Sequence, residues 1–185
     1  MDNGASSYRR FLDGDDTGFV EIVRDYKDGL ILFLNRYVNN IHTAEELMEE
    51  TFFRLATRRP RFTAKYTFKT WLYTIGRNIA LNYLKRAARI ASTSMEDSAD
   101  MSDEADLLER SYIQSEDKRM LYRALDNINP DYSAILYLIF FEDLTNAQAA
   151  KVMKRSNRQI ANLLYRAKLA LKSELEKEGF TYEGL

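Results

Sequence analysis

The stretch FKTWLYTIGRNIALNYLKRAAR, Phe68 to Arg89, decides how this chain folds. Phe68, Leu72, Ile75, Ile79 and Leu84 fall close to helical spacing, so it reads as one amphipathic helix with an apolar side turned to a core. It lies within a longer run, Thr51 to Met95, that holds ten Lys or Arg and no Asp or Glu. A merely solvated helix mixes signs to gain i,i+4 pairs; one without acids makes a positive field suited to phosphate. Rings are threaded through the run at Phe62, Tyr66, Phe68, Trp71, Tyr73 and Tyr83. Cations beside rings are what a surface for unpaired bases requires, stacking being worth about 1–3 kcal/mol per base. Part of this aromatic set belongs to the core, and for Trp71 both readings stand.

The 185 residues, 45% hydrophobic and 30% charged with a net charge of -1, make one soluble domain or two small ones. The absence of cysteine removes disulfides, thiolate nucleophiles and Cys-ligated zinc. His42, the single histidine, reads as a surface or cap residue, because metal sites need three or four ligands. No nucleophile, base or metal constellation is evident, so no catalysis, metal or cofactor is expected. Met1 to Asp16 is polar, and the longest apolar run, Ala134 to Phe141, is well short of the roughly 20 residues of a membrane span. A cytoplasmic protein with no membrane insertion is expected.

With two prolines, seven glycines and no period-two alternation, the chain reads as all-α. A first helix is expected from Asp16 or Thr17 to Asn39-Asn40, carrying Phe19, Ile22, Val23, Tyr26, Leu30, Phe33 and Leu34. A second opens on Thr43-Ala-Glu-Glu46, read as a capping box, and runs to Arg59-Pro60. Its exposed side holds Glu45, Glu46, Glu49 and Glu50, either as complements to the helix dipole or as a docking face. After the basic loop Arg61–Thr67 and the Phe68 helix, the composition inverts. Glu96 to Asp117 has nine acids and one base, which reads as an exposed linker.

Beyond it, Met120, Leu121, Ala124, Leu125 and Ile128 mark a helix, and Asn129-Pro130 starts the apolar helix Asp131–Phe141. Thr145-Asn-Ala-Gln148 and Ser156-Asn-Arg-Gln159 are capping boxes 11 residues apart, the signature of a helix-turn-helix. Its second helix turns Ile160, Leu163, Leu164, Ala167 and Leu171 inward. Asn157, Arg158, Gln159, Asn162, Arg166 and Lys168 face outward. Leu144 to Ser173 again has seven basic residues and no acid. Arg suits guanine and Asn or Gln suits adenine in a major groove.

Two acid-free basic modules joined by an acidic linker resemble bacterial sigma factors of the extracytoplasmic-function (ECF) group, which keep regions 2 and 4 of the sigma-70 type. The resemblance runs from about residue 8 to residue 178. HTAEELMEETFFRLA (His42 to Ala56) resembles the helix that clamps the beta-prime coiled coil of RNA polymerase. FKTWLYTIGRNIALNYLKR (Phe68 to Arg86) resembles the melting and minus-10 reading helix, and LTNAQAAKVMKRSNRQIANLLYRAKLAL (Leu144 to Leu171) the minus-35 reader.

The resemblance implies two small helical domains: region 2 over 1–92 and region 4 over 118–178, with an acidic linker at 93–117 and a tail at 179–185. It implies core-polymerase contacts at Glu45, Glu46, Met48, Glu49, Glu50, Phe52 and Phe53. For the minus-10 element it implies Arg61, Lys65, Tyr66, Phe68, Lys69, Trp71, Tyr73, Arg77, Asn78, Asn82, Lys85, Arg86 and Arg89. For the minus-35 element it implies Arg155, Ser156, Asn157, Arg158, Gln159, Asn162, Arg166 and Lys168. The implied partners are core RNA polymerase (beta-prime coiled coil and beta flap), promoter DNA and an anti-sigma factor, with a monomer when free. The linker reaches roughly 90 Å when extended, enough to engage both promoter elements at once.

Ala147 and Ala149 depart from the family pattern, as does Lys154 at a turn position often held by glycine. A left-handed residue there costs about 1 kcal/mol, so a turn of different build is expected. A stand-alone helix-turn-helix regulator and a helical interaction protein with an acidic partner are the competing readings.

Overall fold

The computed structural model describes residues 3–92 and 116–177, with the side chains of 116–118 excepted. Of the linker proposed over 93–117, residues 93–115 lie outside the described residues while Glu116 and Asp117 already belong to a helix; the tail proposed over 179–185 lies outside as well. Eight helices form the described fold: α1 (Asn3–Leu12), α2 (Thr17–Val38), α3 (Ile41–Arg58), α4 (Phe68–Ala91), α5 (Glu116–Asp126), α6 (Pro130–Phe140), α7 (Asn146–Met153) and α8 (Asn157–Lys177).

Helix α1 was not anticipated, because a polar start hid its two anchors, Tyr8 and Phe11, both buried. It crosses α2 at Gly18, where a Cβ would stand 2.2 Å from the Ser7 carbonyl oxygen. No side chain larger than hydrogen permits that crossing. Helix α2 is the central element: every residue from Leu30 to Tyr37 is buried, so its C-terminal half is enclosed on all sides, while Val20, Arg24, Asp25, Lys27 and Asp28 of its N-terminal half stay exposed. It ends on left-handed Asn39 (φ 46°). Asn40 then caps α3, its side chain accepting the Thr43 amide at 2.9 Å. The Thr43 capping box expected from sequence is therefore not the helix start; Thr43 sits inside the first turn, where Asn40 has already taken its amide. Arg59 (φ 40°) and Pro60 close α3 as expected, and the Tyr8 hydroxyl donates to the Pro60 carbonyl at 2.7 Å.

In the second half, the Asn129 side chain accepts the Asp131 amide at 2.9 Å and Pro130 opens α6. The Thr145–Gln148 capping box forms as read. So does the second: the Ser156 amide donates to Gln159 Oε1 at 2.8 Å and the Gln159 amide to Ser156 Oγ at 3.2 Å. The turn between α7 and α8 is not built differently after all. Lys154 adopts the left-handed conformation itself, at φ 53° and ψ 46°.

The sequence suggested two modules joined by a flexible linker and did not say how they sit together; the structure packs them against each other. Helices α2 and α4 of the first half lie against α6 and α7 of the second, and a single apolar core runs through both. At its middle the rings of Phe33 and Tyr73 sit 5.1 Å apart, with Tyr137 of α6 at 6.3 Å from Phe33. Burying such a ring contributes about 1.5–3 kcal/mol.

Candidate nucleic-acid interface

The residues foreseen for unpaired DNA separate into three groups. Arg61, Lys65, Asn82, Lys85, Arg86 and Arg89 are exposed, and Asn78 is half-buried. The last three turns of α4 stand clear of the core because Leu81, Asn82 and Tyr83 begin an almost unbroken exposed run. Trp71 and Tyr66 are half-buried. Trp71 is braced by Tyr8 at 5.3 Å and Phe62 at 5.2 Å, so one face of the indole is spoken for. Phe68 and Tyr73 are fully buried. The structure gives those two a packing role: Phe68 meets Tyr8, Tyr26, Phe62 and Trp71, while Tyr73 is sealed beneath the second half.

Two cations of the set are engaged across the junction. The Lys69 ammonium lies 2.9 Å from Glu142 Oε2 and donates to the Glu142 carbonyl at 3.2 Å. Buried Arg77 donates from Nε to the Tyr37 hydroxyl at 2.9 Å, and its Nη2 lies 3.9 Å from Asp131 Oδ1. Next to them Arg36, whose side chain is 0% exposed, donates to Asp126 Oδ1 at 2.6 Å and covers the Tyr122 ring at 5.1 Å. Burial raises the Asp126 carboxyl above its ordinary value, with Arg36 pulling in the opposite direction. Sequence reading missed Arg36, Asp126, Asp131 and Glu142, because isolated charges in separate helices give no local signal that they meet.

In the helix-turn-helix, Asn157, Arg158, Asn162, Arg166 and Lys168 are exposed along α8, with Tyr165 beside them at 68% exposure. Tyr165 was not foreseen, although it falls outside the apolar stripe. Ser156 and Gln159 are also exposed but spend hydrogen bonds on the cap. Arg155 donates from Nη2 to Asp131 Oδ2 at 2.5 Å. Lys168 lies over the Phe140 ring at 5.2 Å. On α3, Glu46, Glu49 and Phe53 face outward, while Glu45, Met48 and Glu50 are half-buried. Glu50 accepts from Arg54 Nε at 2.5 Å, a helical i,i+4 pair. Phe52 turns inward onto Phe19, edge to face at 6.3 Å, and serves the core.

A helical module with a basic, aromatic helix followed by a helix-turn-helix fits a nucleic-acid-binding protein, and comparison with known proteins narrows the class. Residues 22–90 match the model of Sigma-70 region 2, and residues 118–171 match that of Sigma-70 region 4. Together the matches take in well over half of the chain. It is 26% identical over 155 residues to the ECF RNA polymerase sigma factor SigX of Bacillus subtilis (strain 168), covering 82% of this chain and 80% of that protein. Against the ECF RNA polymerase sigma-E factor of Haemophilus influenzae it is 23% identical over 175 residues, covering 90% and 92%. In fold it is similar to the sigma factor RpoE from Bartonella quintana, solved with the anti-sigma factor NepR: TM-score 0.69, 19% identity, 85% of this chain and 96% of that one. CnrH, solved with the cytosolic domain of CnrY, gives a TM-score of 0.63 at 17% identity over 95% and 96%. The chain belongs to the sigma-70 family, within its ECF group, and its function is promoter recognition and transcription initiation.

Proposed function

We propose that this sigma factor works by opening. In the packed arrangement Tyr73 and Arg77 are buried, Lys69 is paired with Glu142 of the second module, and Arg155 is held by Asp131. Engaging minus-10 and minus-35 elements about two helical turns apart requires the modules to part. The acidic outer face of α3, centred on Glu46, Glu49 and Phe53, is the docking face for the beta-prime coiled coil, and the second module meets the beta flap. The exposed cations of α4 and the loop Arg61–Thr67 hold the backbone of the melting strand. Bases leaving the stack, at a cost of a few kcal/mol, are captured beside Trp71 and Tyr66. Arg158, Asn162 and Arg166 read the upstream duplex. On this reading the protein acts in the cytoplasm and works by binding alone. Separately, among the described residues no helix is long and apolar enough to cross a membrane. By analogy with its solved neighbours, an anti-sigma partner controls it.

The observation that carries this reading is the succession, in one chain, of an acidic helix, an acid-free aromatic helix and a doubly capped helix-turn-helix. Gel filtration with core RNA polymerase tests it, using wild type and a variant with Glu45, Glu46, Glu49 and Glu50 reversed to Lys. Wild type is expected to co-elute and the variant is not. A folded wild type that fails to co-elute returns the weight to a stand-alone DNA-binding protein.

A further inference from the structure

The cations between the modules fall into two sets. Arg36 meets Asp126, Lys69 meets Glu142, and Arg77 and Arg155 meet the two oxygens of Asp131. Other cations border a cleft that the modules build together. Its larger part, about 530 Å³, is lined by Tyr66 from the first module and by Lys151, Lys154, Asn157 and the Asp131-paired Arg155 from the second. A smaller lobe of about 180 Å³ adds Lys65 and Trp71, with Tyr66 and Lys151 shared by both. The Lys65 ammonium lies 5.9 Å from the centre of the Tyr66 ring, and the Lys151 ammonium 5.1 Å. Cations from opposite modules therefore converge on one ring. Among the described residues no carboxylate pairs with Lys65, Lys151 or Lys154.

The chain carries 27 basic and 28 acidic residues, so acids are not scarce. Among the described residues Lys65 of the first module and Lys151 and Lys154 of the second have no carboxylate partner, and repulsion between Lys65 and the other two opposes the junction. An anion in the cleft removes the repulsion and gains contacts from both modules, contacts that vanish when they part. Such a ligand binds the packed state in preference to the open one and shifts the population toward it. Ammonium groups bind phosphate as point charges, and three of them along a cleft within the usual range for ligands match a chain of phosphates better than one.

We propose that this cleft is a binding site for a small anion of the polyphosphate class, whose occupancy holds the two modules in the packed arrangement. The site rests on the packed geometry alone; only its consequence, silencing of promoter binding, rests on the function proposed above.

Trp71, the single tryptophan, lines the cleft and supplies the readout. Sodium tripolyphosphate is titrated into the full chain at constant ionic strength, following Trp71 emission and the melting temperature. A saturable emission change with a rise in melting temperature is expected. The double variant K151Q/K154Q is expected to bind at least tenfold more weakly, and K151R/K154R to retain binding. Both variants alter exposed side chains, and circular dichroism checks their helicity. An unsaturable signal, an equal response to sulfate, or full binding by a folded K151Q/K154Q overturns the proposal. So does saturation by a short single-stranded oligonucleotide where tripolyphosphate has no effect, which would make the lysines DNA contacts only. Loss of polymerase binding in the co-elution experiment leaves this result untouched, so the two ideas fail separately.

Discussion

Lys154 carries a direct conflict between local preference and fold. Its amide donates to the Lys151 carbonyl at 3.3 Å and the Arg155 amide reaches the Ala150 carbonyl at 3.0 Å, the pattern that ends a helix with a left-handed residue. Glycine holds that conformation without the Cβ penalty. Lys154→Gly is therefore expected to stabilise the protein by about 1 kcal/mol, read as a raised urea midpoint, whereas Lys154→Ala should give no such gain. Trp71 poses a different question, because its indole is both a core neighbour and a cleft wall. Trp71→Ala is expected to impair open-complex formation, followed by permanganate footprinting, more than closed binding in a gel shift. Equal losses would assign the residue to packing alone. Arg158→Ala, at an exposed position tied to no cap, should relax upstream-element preference in a selection from randomised promoters.

Among the elements, α2 does the most. Its N-terminal half accepts α1 at Gly18, and Gly29 accepts the second module. A Cβ at Gly29 would stand 2.3 Å from Glu142 Oε1 and 2.6 Å from the Tyr73 hydroxyl. The bare backbone there lets the Glu142 carboxylate reach Lys69 and the Tyr137 hydroxyl, which donates to it at 3.2 Å. Gly29→Leu in a Tyr73→Phe background leaves Glu142 as the main obstacle. It also improves α2 itself, since glycine costs a helix interior about 1 kcal/mol. The expected result is a larger radius of gyration by small-angle scattering with helicity retained. An unchanged radius would mean that the Glu142 loop can yield without releasing the module.

For the whole molecule, four buried phenols report on the integrity of the fold. Burial pushes Tyr8 and Tyr37 up to about 12, against the nearby Arg59 and Arg77 respectively. Tyr73 and Tyr137 are driven well above their ordinary value by burial and by the Glu142 carboxylate. The folded state thus keeps protons that the unfolded chain releases near pH 10. Stability from these groups is fully present below about pH 10 and is lost as pH rises toward 12. Denaturant midpoints measured from pH 8 to 12 should be flat at first and then fall. A fall beginning well below pH 10 would implicate other groups.

Much of this was legible in the sequence because it is written in local patterns. The helical spacing from Phe68 to Leu84, the Thr145–Gln148 and Ser156–Gln159 caps and the acid-free runs are each contained within a few turns of chain. They determined an all-helical protein with a basic aromatic helix and a helix-turn-helix. Even so, periodicity alone did not separate outward Phe53 from inward Phe52, nor tell that Tyr73 is sealed, although it does place Phe68 on the core stripe. What only the tertiary structure decided is the packing of the two halves. The contacts that hold them, Arg36 with Asp126 across 90 positions and Lys69 with Glu142 across 73, join residues with no shared local pattern. A charge pair acts through space, and sequence separation does not reveal which distant charges the fold brings within 3 Å.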